Sequence, residues 1–419
     1  MNQKPKIAVL GMWHLGCVIS ASWLKLGFEV ISIDRSLHLV EQLSQGTPPI
    51  YEPEMEEIFK KALLEKKWTV STDLSFLKDC DVIFLAYDTP VNEQDDCDLE
   101  PLESVCCNAS AHLSADALLI VSSQVPVGTC SRWQNMYFPS IAYSPENLKL
   151  GEAIENYLHP GHLILGGDPH LIKRALELFS CIRATYITMD TESAEMTKHA
   201  INSFLATSIT FANQLADACA SVGANIQTVT SSMKQDPRIG AKAYLQAGLG
   251  FSGGTLGRDL RILKNQSFFQ EIWQHNRQRP LQILHKLARK LGGFSQKTCA
   301  VLGITYKPGT STLRRSIPLE IAQDMIRKGA KVKVYDPKAN WSEIDPIKEI
   351  HVAEDPYQAA TGADCLCIFT QWPEFQQLDM DLLGKLMNHR ILFDPYYHVQ
   401  KRYEELYTLN FQIFNNLGS

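Results

Sequence analysis

The chain has 419 residues, of which 45% are hydrophobic and 21% are charged, a balance that is typical of a folded, soluble protein. Its length exceeds what one hydrophobic core usually serves and predicts two or three domains of roughly 100–200 residues. The formal net charge of -6 and the lack of any Lys- and Arg-rich stretch argue against a nucleic-acid-binding protein, so an anionic small substrate would need a local basic pocket.

Strand and helix patterns alternate over the first 190 residues, as they do in proteins with a parallel sheet. A turn that begins at Gly11 and ends at Gly16 follows the first apolar strand, and residues 18–26 are predicted to form a helix. The second strand ends in an acid, Asp34. The predicted strands are residues 6–10, 27–34, 82–86, 117–122 and 141–143. Residues 1–190 are therefore predicted to form a doubly wound nucleotide-binding domain.

Residues 191–292 have a helical pattern without strand punctuation. Small and apolar residues recur at intervals of three and four from Ala194 to Ala212, which predicts one long helix. Packing in a core explains most of these apolar positions, and further helices are expected up to Gly292. The segment is therefore predicted to be a central helical domain.

The alternation of strands and helices resumes after Gly292 and Gly293. Strands are predicted at residues 299–304, 331–336 and 363–369, and a helix at residues 317–328. Residues 293–419 are therefore predicted to form a second α/β domain, similar to the first in architecture but not in sequence. The predicted fold class is α/β, with two Rossmann-like, doubly wound domains joined by a long central helix and a helical region.

The N-terminal residues contain no apolar signal-peptide core, and no segment approaches ~18 uninterrupted apolar residues. We therefore expect a cytoplasmic protein that does not associate with membranes. The 11 cysteines are scattered and have no zinc-site partners at the expected spacing. Reduced thiols and the absence of a metal site are the expectation for them.

The turn from Gly11 to Gly16 has the position of a dinucleotide fingerprint, after the first strand and at the start of a helix. The middle glycine of that fingerprint lets the backbone approach a pyrophosphate, but here it is Trp13. Asp34, about 20 residues further on, would hold the ribose hydroxyls and favour NAD over its phosphorylated form. The turn by itself leaves two interpretations open, a cofactor site or a strand-to-helix turn that serves the fold alone.

Beyond the fingerprint, a series of short motifs follows in one order along the chain. They are Gly46 to Pro53, Asp88 to Pro90, Ser123 to Thr129, Ser144 to Leu148, Ala194 to Ala206, Asp236 to Gly240, Gly248 to Asp259 and Thr305 to Thr310. Each motif is weak alone, but together they make the chain resemble the UDP-glucose/GDP-mannose dehydrogenase family over almost its whole length.

This resemblance implies a domain for NAD, a central helical domain that forms a homodimer through the long helix, and a C-terminal domain that binds a UDP- or GDP-sugar. It also implies a role in polysaccharide biosynthesis. Members of the family oxidise the C6 alcohol of the sugar to an acid with two NAD molecules. A cysteine captures the aldehyde formed in the first oxidation, and the resulting thiohemiacetal is oxidised to a thioester that water hydrolyses.

The resemblance also assigns site residues. The implied catalytic residues are Glu146 as base, Lys198, Asn202 and Asp259 as partners of a water or alkoxide, and Thr255 at the position of the cysteine. The implied cofactor-binding residues are Gly11, Trp13, His14, Leu15, Gly16, Asp34, Thr89, Pro90, Ser123, Gln124, Arg258 and Arg314. The implied substrate-binding residues are Asn147, Leu148, Arg238, Tyr244, Phe251, Gly253, Gly254 and Lys307, of which Arg238 would reach the substrate of the other subunit.

The chemistry of two of these residues is consistent with the assignment. Lys198 and Asn202 are four residues apart, so they share one face of a helix and can point at the same reacting oxygen. An ammonium beside an amide donor would stabilise a developing alkoxide or oxyanion. The alternative for Lys198 is a solvated surface lysine.

Several positions depart from the family pattern, and Thr255 has the largest consequence. A hydroxyl is a weak nucleophile unless a general base lies beside it, whereas a thiol is partly ionised at neutral pH. The other departures include Trp13, a glutamine for the threonine that orients the catalytic water (Gln124), a leucine for a second glutamate (Leu150), and tyrosines near the position of a substrate arginine (Tyr396, Tyr397).

These departures predict an NAD-dependent oxidoreductase that stops after one two-electron step, because the thioester route needs the missing thiol. Three alternatives remain open. The chain could be a non-catalytic protein that binds a nucleotide sugar, or an epimerase or reductase that retains its NAD. It could also complete the acid through a hydrated aldehyde, which can itself donate hydride.

Overall fold

The structure is a computed structural model that describes residues 4–146, 148 and 150–415. The chain divides into two compact units, Met1–Ile201 and Asn202–Ser419. The boundary between them falls inside the long helix Thr191–Ser221 (α8). The division into three domains at residues 190 and 292 stays a prediction.

The first unit is built around an eight-stranded sheet. Its strands are β1 (Ile7–Leu10), β2 (Val30–Ile33), β3 (Trp68–Ser71), β4 (Val82–Leu85), β5 (Leu118–Val121), β6 (Ile141–Tyr143), β7 (His162–Gly166) and β8 (Thr185–Met189). Its helices are α1 (His14–Lys25), α2 (Leu37–Ser44), α3 (Met55–Leu64), α4 (Glu100–Ser110), α5 (Thr129–Met136), α6 (Ala153–Leu158) and α7 (Pro169–Phe179), with a 3₁₀ helix at Leu74–Asp79.

The strand order is β3-β2-β1-β4-β5-β6-β7-β8. The first six strands are parallel and follow the order of a doubly wound nucleotide-binding sheet, with Ile7 of β1 paired to Val30 of β2 and to Val82 of β4. β6 pairs antiparallel with β7, so β7 and β8 run opposite to the other six. β1, β4 and β5 are buried along their whole length because helices cover both faces, which explains their continuous apolar runs.

The second unit contains a six-stranded, fully parallel sheet in the order β11-β10-β9-β12-β13-β14. Its strands are β9 (Thr298–Leu302), β10 (Lys331–Tyr335), β11 (Ile350–Val352), β12 (Cys365–Ile368), β13 (Ile391–Phe393) and β14 (Gln412–Phe414). Its helices after α8 are α9 (Ile226–Met233), α10 (Gly254–Ile262), α11 (Ser267–Leu291), α12 (Ile317–Arg327), α13 (Pro356–Ala360), α14 (Met380–Leu386) and α15 (Tyr403–Thr408), with 3₁₀ helices at Trp341–Glu343, Pro373–Gln377 and Gln400–Arg402. This order matches that of the first six strands of the other sheet.

The predicted fold class is confirmed, and so are the long helix from Thr191 and the helices behind it. The predicted start of the first helix is wrong, because α1 begins at His14 and not at residue 18. Gly16 lies inside that helix, where a Cβ would come 1.7 Å from the carbonyl oxygen of Gly11. The glycine is required by close packing and not by a loop conformation.

Strands β3, β7, β8, β11, β13 and β14 were not predicted. Three of them, β3, β8 and β11, are partly or largely exposed, and their mixture of polar and apolar residues gives no continuous apolar run. Among the described residues, no helix is long and apolar enough to cross a membrane. All 11 cysteines are free thiols, and the described part of the chain contains no cluster of His, Cys, Asp or Glu that could hold a metal ion.

Candidate functional site

The dinucleotide turn connects β1 to α1 at the carboxyl edge of the first sheet. Gly11 has a φ of +93°, and a Cβ there would lie 2.6 Å from Cγ of Tyr87, so both the conformation and the space require glycine. Trp13 has a φ of -76°, which any residue adopts, so the backbone tolerates a side chain at this position. The half-buried indole of Trp13 therefore changes the surface of the turn without changing its path.

Asp34 lies directly after β2, beside this turn. One carboxylate oxygen accepts the backbone N–H of Met12 at 2.7 Å, and the other accepts the N–H of Ser36 at 2.9 Å. A carboxylate has about four acceptor positions, so Asp34 keeps capacity for two ribose hydroxyls. The glycine turn, the start of α1 and the carboxylate together fit a dinucleotide such as NAD.

The second sheet has a similar turn after β9, but the acid beside it, Asp336, already accepts several hydrogen bonds from the protein. Gly303 follows β9, and one oxygen of Asp336 accepts the backbone N–H groups of Ile304 and Thr305, at 2.8 and 3.0 Å. The same oxygen also accepts the indole N–H of Trp372 at 3.1 Å. With so many protein donors, this carboxylate has little capacity left for a ribose. The fit to a dinucleotide therefore belongs to the first unit.

Two loops beside the dinucleotide turn hold each other through hydrogen bonds. The hydroxyl of Thr89 donates to the carbonyl of Gln124 at 2.5 Å, and the hydroxyl of Ser123 donates to the carbonyl of Tyr87 at 2.7 Å. These loops follow β4, which pairs with β1, and β5, which pairs with β4, so the structure brings Thr89, Ser123 and Gln124 to the edge that carries Gly11.

Two buried residues of α8 fix the loop that follows Gln124, and the sequence did not single out either one. The carboxylate of Glu195 accepts the backbone N–H groups of Gly128 and Cys130, at 2.5 and 2.9 Å. Burial raises the pKa of Glu195, although these bonds act against the rise. A ring nitrogen of His199 lies 2.8 Å from the carbonyl of Val125. Both residues stand in the motif Ala194 to Ala206, which is the only signal in the sequence for them.

Glu146 and Lys198 lie together in the first unit. The ammonium of Lys198, which is only 9% exposed, donates to the backbone carbonyl of Glu146 at 2.6 Å. Burial raises the pKa of the Glu146 carboxyl to about 8, and the charge of Lys198 partly offsets that effect. A carboxyl with this pKa can accept and release a proton near neutral pH. Of the neighbouring predicted residues, Asn147 lies outside the described residues, and Leu148 packs against the core of the unit.

Glu52 was not given a role by the sequence, although it stands in the motif Gly46 to Pro53. Its buried carboxylate accepts a hydrogen bond from the ring of His14 at 2.8 Å. It also accepts the backbone N–H groups of Gly151 and Ala153, at 2.9 and 3.3 Å. Burial acts to raise the pKa of Glu52, but the hydrogen bonds from His14 and the two backbone groups outweigh it and lower the pKa.

Asn202 and Asp259 lie together in the second unit, on α8 and α10. The side-chain amide of Asn202 donates to the carboxylate of Asp259 at 2.5 Å, and both side chains are buried. Thr255 lies one turn before Asp259, in the first turn of α10, and is exposed. No general base donates to or accepts from its hydroxyl among the described residues.

A glycine-rich segment, residues 248–254, leads into α10 and is held by hydrogen bonds with α8 and α11. Asn213 of α8 accepts the backbone N–H of Gly248 at 2.7 Å. On α11, Asn276 accepts the N–H of Phe251 at 2.8 Å and donates to its carbonyl at 2.9 Å. A Cβ on Gly248 would lie 2.0 Å from the ring of Tyr396, so this tyrosine, one of the two departures noted at residues 396 and 397, packs against the segment.

A buried ion pair supports the same segment. Arg279 of α11 is 2% exposed and donates to both oxygens of the Asp217 carboxylate, at 2.9 and 2.7 Å. Its Nε donates to the carbonyl of Gly248 at 3.2 Å. Burial and the neighbouring Arg279 lower the pKa of Lys286 to about 8, with Asp217 acting against the shift. The sequence contains no signal for Arg279, because its partners are distant along the chain.

The remaining predicted substrate residues fall into two groups. Gly253 donates its N–H to the carbonyl of Arg315 at 3.0 Å and faces the ring of Tyr306, which brings Phe251, Gly253 and Gly254 near the segment that contains Lys307 and Arg314. Arg238 instead pairs with the nearby Asp236 at 2.6 Å, and Tyr244 is 56% exposed. Arg238 and Tyr244 are therefore not assembled with the glycine-rich segment by any contact described for this chain.

Three models of protein-family domains match the chain in succession. Residues 5–182 match the NAD binding domain of the UDP-glucose/GDP-mannose dehydrogenase family, residues 192–275 its central domain, and residues 300–401 its UDP binding domain.

Relatives named as UDP-glucose 6-dehydrogenases match over nearly the full chain. The UDP-glucose 6-dehydrogenase TuaD of Bacillus subtilis is 30% identical over 409 residues, which cover 93% of this chain and 88% of the relative. The UDP-glucose 6-dehydrogenase of Pseudomonas aeruginosa is 29% identical, with 93% and 92% covered.

Solved structures give the same picture. A UDP-glucose dehydrogenase from Pyrobaculum islandicum superposes with a TM-score of 0.87 at 27% identity, over 96% of both chains. A UDP-D-ManNAc dehydrogenase from Pyrococcus horikoshii superposes with a TM-score of 0.86 at 24% identity, over 98% of this chain and 99% of that one, which supports the fold alone.

Proposed function

The chain belongs to the UDP-glucose/GDP-mannose dehydrogenase family, and from that premise we propose that it oxidises a UDP- or GDP-hexose in a single two-electron step. It is an NAD-dependent oxidoreductase of the nucleotide-sugar dehydrogenase type. The observation that carries the proposed single step is Thr255, an exposed hydroxyl in the first turn of α10.

We propose that Thr255 occupies the position of the family's nucleophilic cysteine. A threonine hydroxyl must lose its proton to a base before it can attack an aldehyde, and no such base contacts Thr255 among the described residues. The oxidised product would therefore leave as an aldehyde or ketone, because the thioester that leads to the acid cannot form. Thr255 is left with the role of lining the sugar site.

Glu146 is the proposed acid-base group of the first step. NAD, when bound, supplies the acceptor for the hydride. The substrate hydroxyl gives its proton to the Glu146 carboxylate, whose pKa of about 8 suits proton exchange near neutral pH. The buried ammonium of Lys198, held by the carbonyl of Glu146, would stabilise the negative charge that develops on the substrate oxygen.

A separate role is proposed for Asn202 and Asp259 in the second unit. The buried carboxylate of Asp259 fixes the orientation of the Asn202 amide through a 2.5 Å hydrogen bond. An amide fixed in this way presents its remaining donor in one direction, which suits it for holding a substrate oxygen or a water.

We also propose a homodimer formed through α8. Phe204 and Phe211 are 70% and 46% exposed and lie seven residues apart, so they share one face of the helix. Large apolar side chains that recur on one exposed helix face are typical of an interface.

The test of the single step is the ratio of NADH formed to sugar consumed. Purified protein would be incubated with NAD and a panel of UDP- and GDP-sugars, with NADH followed by absorbance and the product by mass spectrometry. We expect one NADH per sugar and an aldehyde or ketone product. Two NADH per sugar with a uronate product from the unaltered protein would refute the single step.

Two variants sharpen this test. Thr255→Cys is expected to raise the ratio toward two and to yield a uronate, because a thiol restores the covalent route. Thr255→Ser is the matched control, which keeps a hydroxyl and should keep a ratio of one. Failure of the protein to bind NAD at millimolar concentration would refute the redox function itself.

A further inference from the structure

Two helix N-termini meet at the carboxylate of Glu52. His14 is the first residue of α1, and Ala153 is the first residue of α6. The Glu52 side chain is fully buried and accepts from the His14 ring at 2.8 Å, from the Gly151 N–H at 2.9 and 3.0 Å, and from the Ala153 N–H at 3.3 Å. One carboxylate thus satisfies donors from two separate parts of the unit.

The donors belong to parts of the chain with different proposed roles. His14 stands in the dinucleotide turn, next to Trp13. Gly151, whose φ of +86° favours glycine, follows Glu146 by five residues, on the connection from β6 to α6. A displacement of His14 or of Gly151 would break a hydrogen bond to the buried Glu52 carboxylate. The loss would cost free energy, because no water reaches this carboxylate to replace the lost donor.

A second contact joins the same two helices. The indole N–H of Trp23 on α1 donates to the hydroxyl of Tyr157 on α6 at 3.0 Å, and both residues are buried. The body of α1 is therefore fixed against the body of α6 in the core. Glu52 and His14 add a polar link at the ends of these helices, where the proposed cofactor and acid-base groups lie.

We propose that Glu52 and His14 are a positioning pair that couples the dinucleotide turn to Gly151 and the start of α6, an inference that rests on the proposed function. Neither residue takes part in proton transfer to the substrate. The pair holds α1 and the start of α6 in one arrangement, so that occupation of the turn by a dinucleotide restrains Gly151 and Ala153.

The first measurement needs no cofactor and no turnover. Amide hydrogen exchange of the protein without ligand would be followed in peptides covering residues 150–158. His14→Phe keeps a ring but removes the donor, and Glu52→Gln replaces one acceptor oxygen with an NH₂ group. Each is expected to speed exchange at Gly151 and Ala153 by roughly tenfold, the factor that corresponds to loss of one hydrogen bond.

Two further variants separate positioning from general damage. His14→Gln can place an amide nitrogen near the position of the ring nitrogen, so it should restore much of the protection. His170→Phe changes an exposed histidine on α7 in the same unit and should leave exchange in this segment unchanged. Peptides from β4 and β5 report global unfolding, and in all four variants their exchange should match that of the unaltered protein.

The second measurement adds NAD. With each protein saturated by NAD, bound NAD should slow exchange in residues 150–158 of the unaltered protein, and this slowing should be lost in His14→Phe and recovered in His14→Gln. NAD binding without slowing in the unaltered protein would overturn the coupling and leave the proposed function intact. If NAD does not bind, the proposed function fails, and the cofactor-free measurement still decides the link: unchanged exchange in His14→Phe would overturn it.

Discussion

The surroundings of Glu146 set the pKa of its carboxyl. It is a half-buried carboxyl with the Lys198 ammonium bonded to its own backbone carbonyl, so burial dominates and raises its pKa from 4.5 to about 8. A base must be ionised to accept a proton. The activity of this protein should therefore depend on pH above neutrality, where most carboxylates are already fully ionised.

The first prediction is a rise of kcat/KM with pH up to an apparent pKa of about 8. Below that value the rate should fall roughly tenfold per pH unit, because only the ionised fraction of Glu146 acts. Glu146→Gln should lower kcat/KM by roughly 10²–10⁴ and remove the rising limb. The measurement is a pH profile of initial rates, and a flat profile between about pH 6 and pH 9 would contradict the assignment of Glu146 as base.

The same group makes a second, independent prediction for stability. A carboxyl whose pKa is raised by folding favours the folded state while it is protonated, so its contribution is complete below pH 4.5 and is lost as pH rises to about 8. Glu146→Gln cannot ionise and should not lose stability in this window. Urea denaturation across the range should show the free energy of unfolding of the unaltered protein falling relative to that of the variant.

The backbone at Trp13 does not require a particular residue type. Its φ of -76° is open to any residue, whereas Gly11 has a left-handed φ and no space for a Cβ. The structure therefore requires glycine at Gly11, because of its φ and its lack of space, and at Gly16, because of close packing, but not at Trp13. The indole of Trp13 changes the shape of the surface that a pyrophosphate would meet.

At the scale of elements, α8 and α11 hold the glycine-rich segment through side chains that are distant along the chain. Arg279 bonds the carbonyl of Gly248 and pairs with Asp217, while Asn213 bonds the N–H of Gly248. The Arg279 guanidinium is almost fully buried, so its charge depends on Asp217 for compensation. Removal of Asp217 takes away the carboxylate that neutralises the buried guanidinium, whereas removal of Arg279 leaves Asp217 with the ammonium of Lys286 at 3.9 Å.

We therefore predict that Asp217→Asn lowers the free energy of unfolding by about 3 kcal/mol, since it removes the carboxylate that pairs with a buried guanidinium. The double substitution Asp217→Leu with Arg279→Leu should cost less than the sum of its single variants, because neither charge remains. Urea denaturation measures all three effects.

The matched control for this element is an exposed pair. Arg327 and Asp324 form an ion pair on α12 in which the arginine is 66% exposed. Arg327→Ala should change the free energy of unfolding by less than about 1 kcal/mol, since solvent screens such pairs. Equal losses in the buried and the exposed pair would show that burial does not set the strength of the Asp217 interaction.

At the scale of the whole molecule, the proposed homodimer makes a prediction about mass. Phe204→Asp places a charge on the exposed apolar face of α8 and should convert a dimer to a monomer, because desolvating a carboxylate at an interface is costly. Light scattering after size-exclusion chromatography measures the mass. Leu64→Asp, at an 86% exposed position on α3, is the control and should leave the mass unchanged. A monomeric unaltered protein would refute the proposed dimer.

Local patterns in the sequence predicted many of the strands and the long central helix. The apolar runs at residues 7–10 and 141–143 became strands, and the three- and four-residue spacing after Thr191 became a single helix to Ser221. These patterns are local, because a strand buried on both faces is apolar throughout and a packed helix repeats every 3.6 residues. The ordered motifs were also sufficient for the family, which the domain matches confirmed.

The sequence by itself therefore determined the fold class, the family, the position of the glycine turn after β1 and the threonine at residue 255. Only the tertiary structure decided which distant residues form hydrogen bonds. Glu52 accepts hydrogen bonds from His14 and Gly151, and Arg279 donates one to the carbonyl of Gly248. Those contacts join residues 31 to 99 positions apart. The physical reason is that the burial and hydrogen bonding of a charged side chain depend on which distant segments fold against it, and neither is encoded in local periodicity.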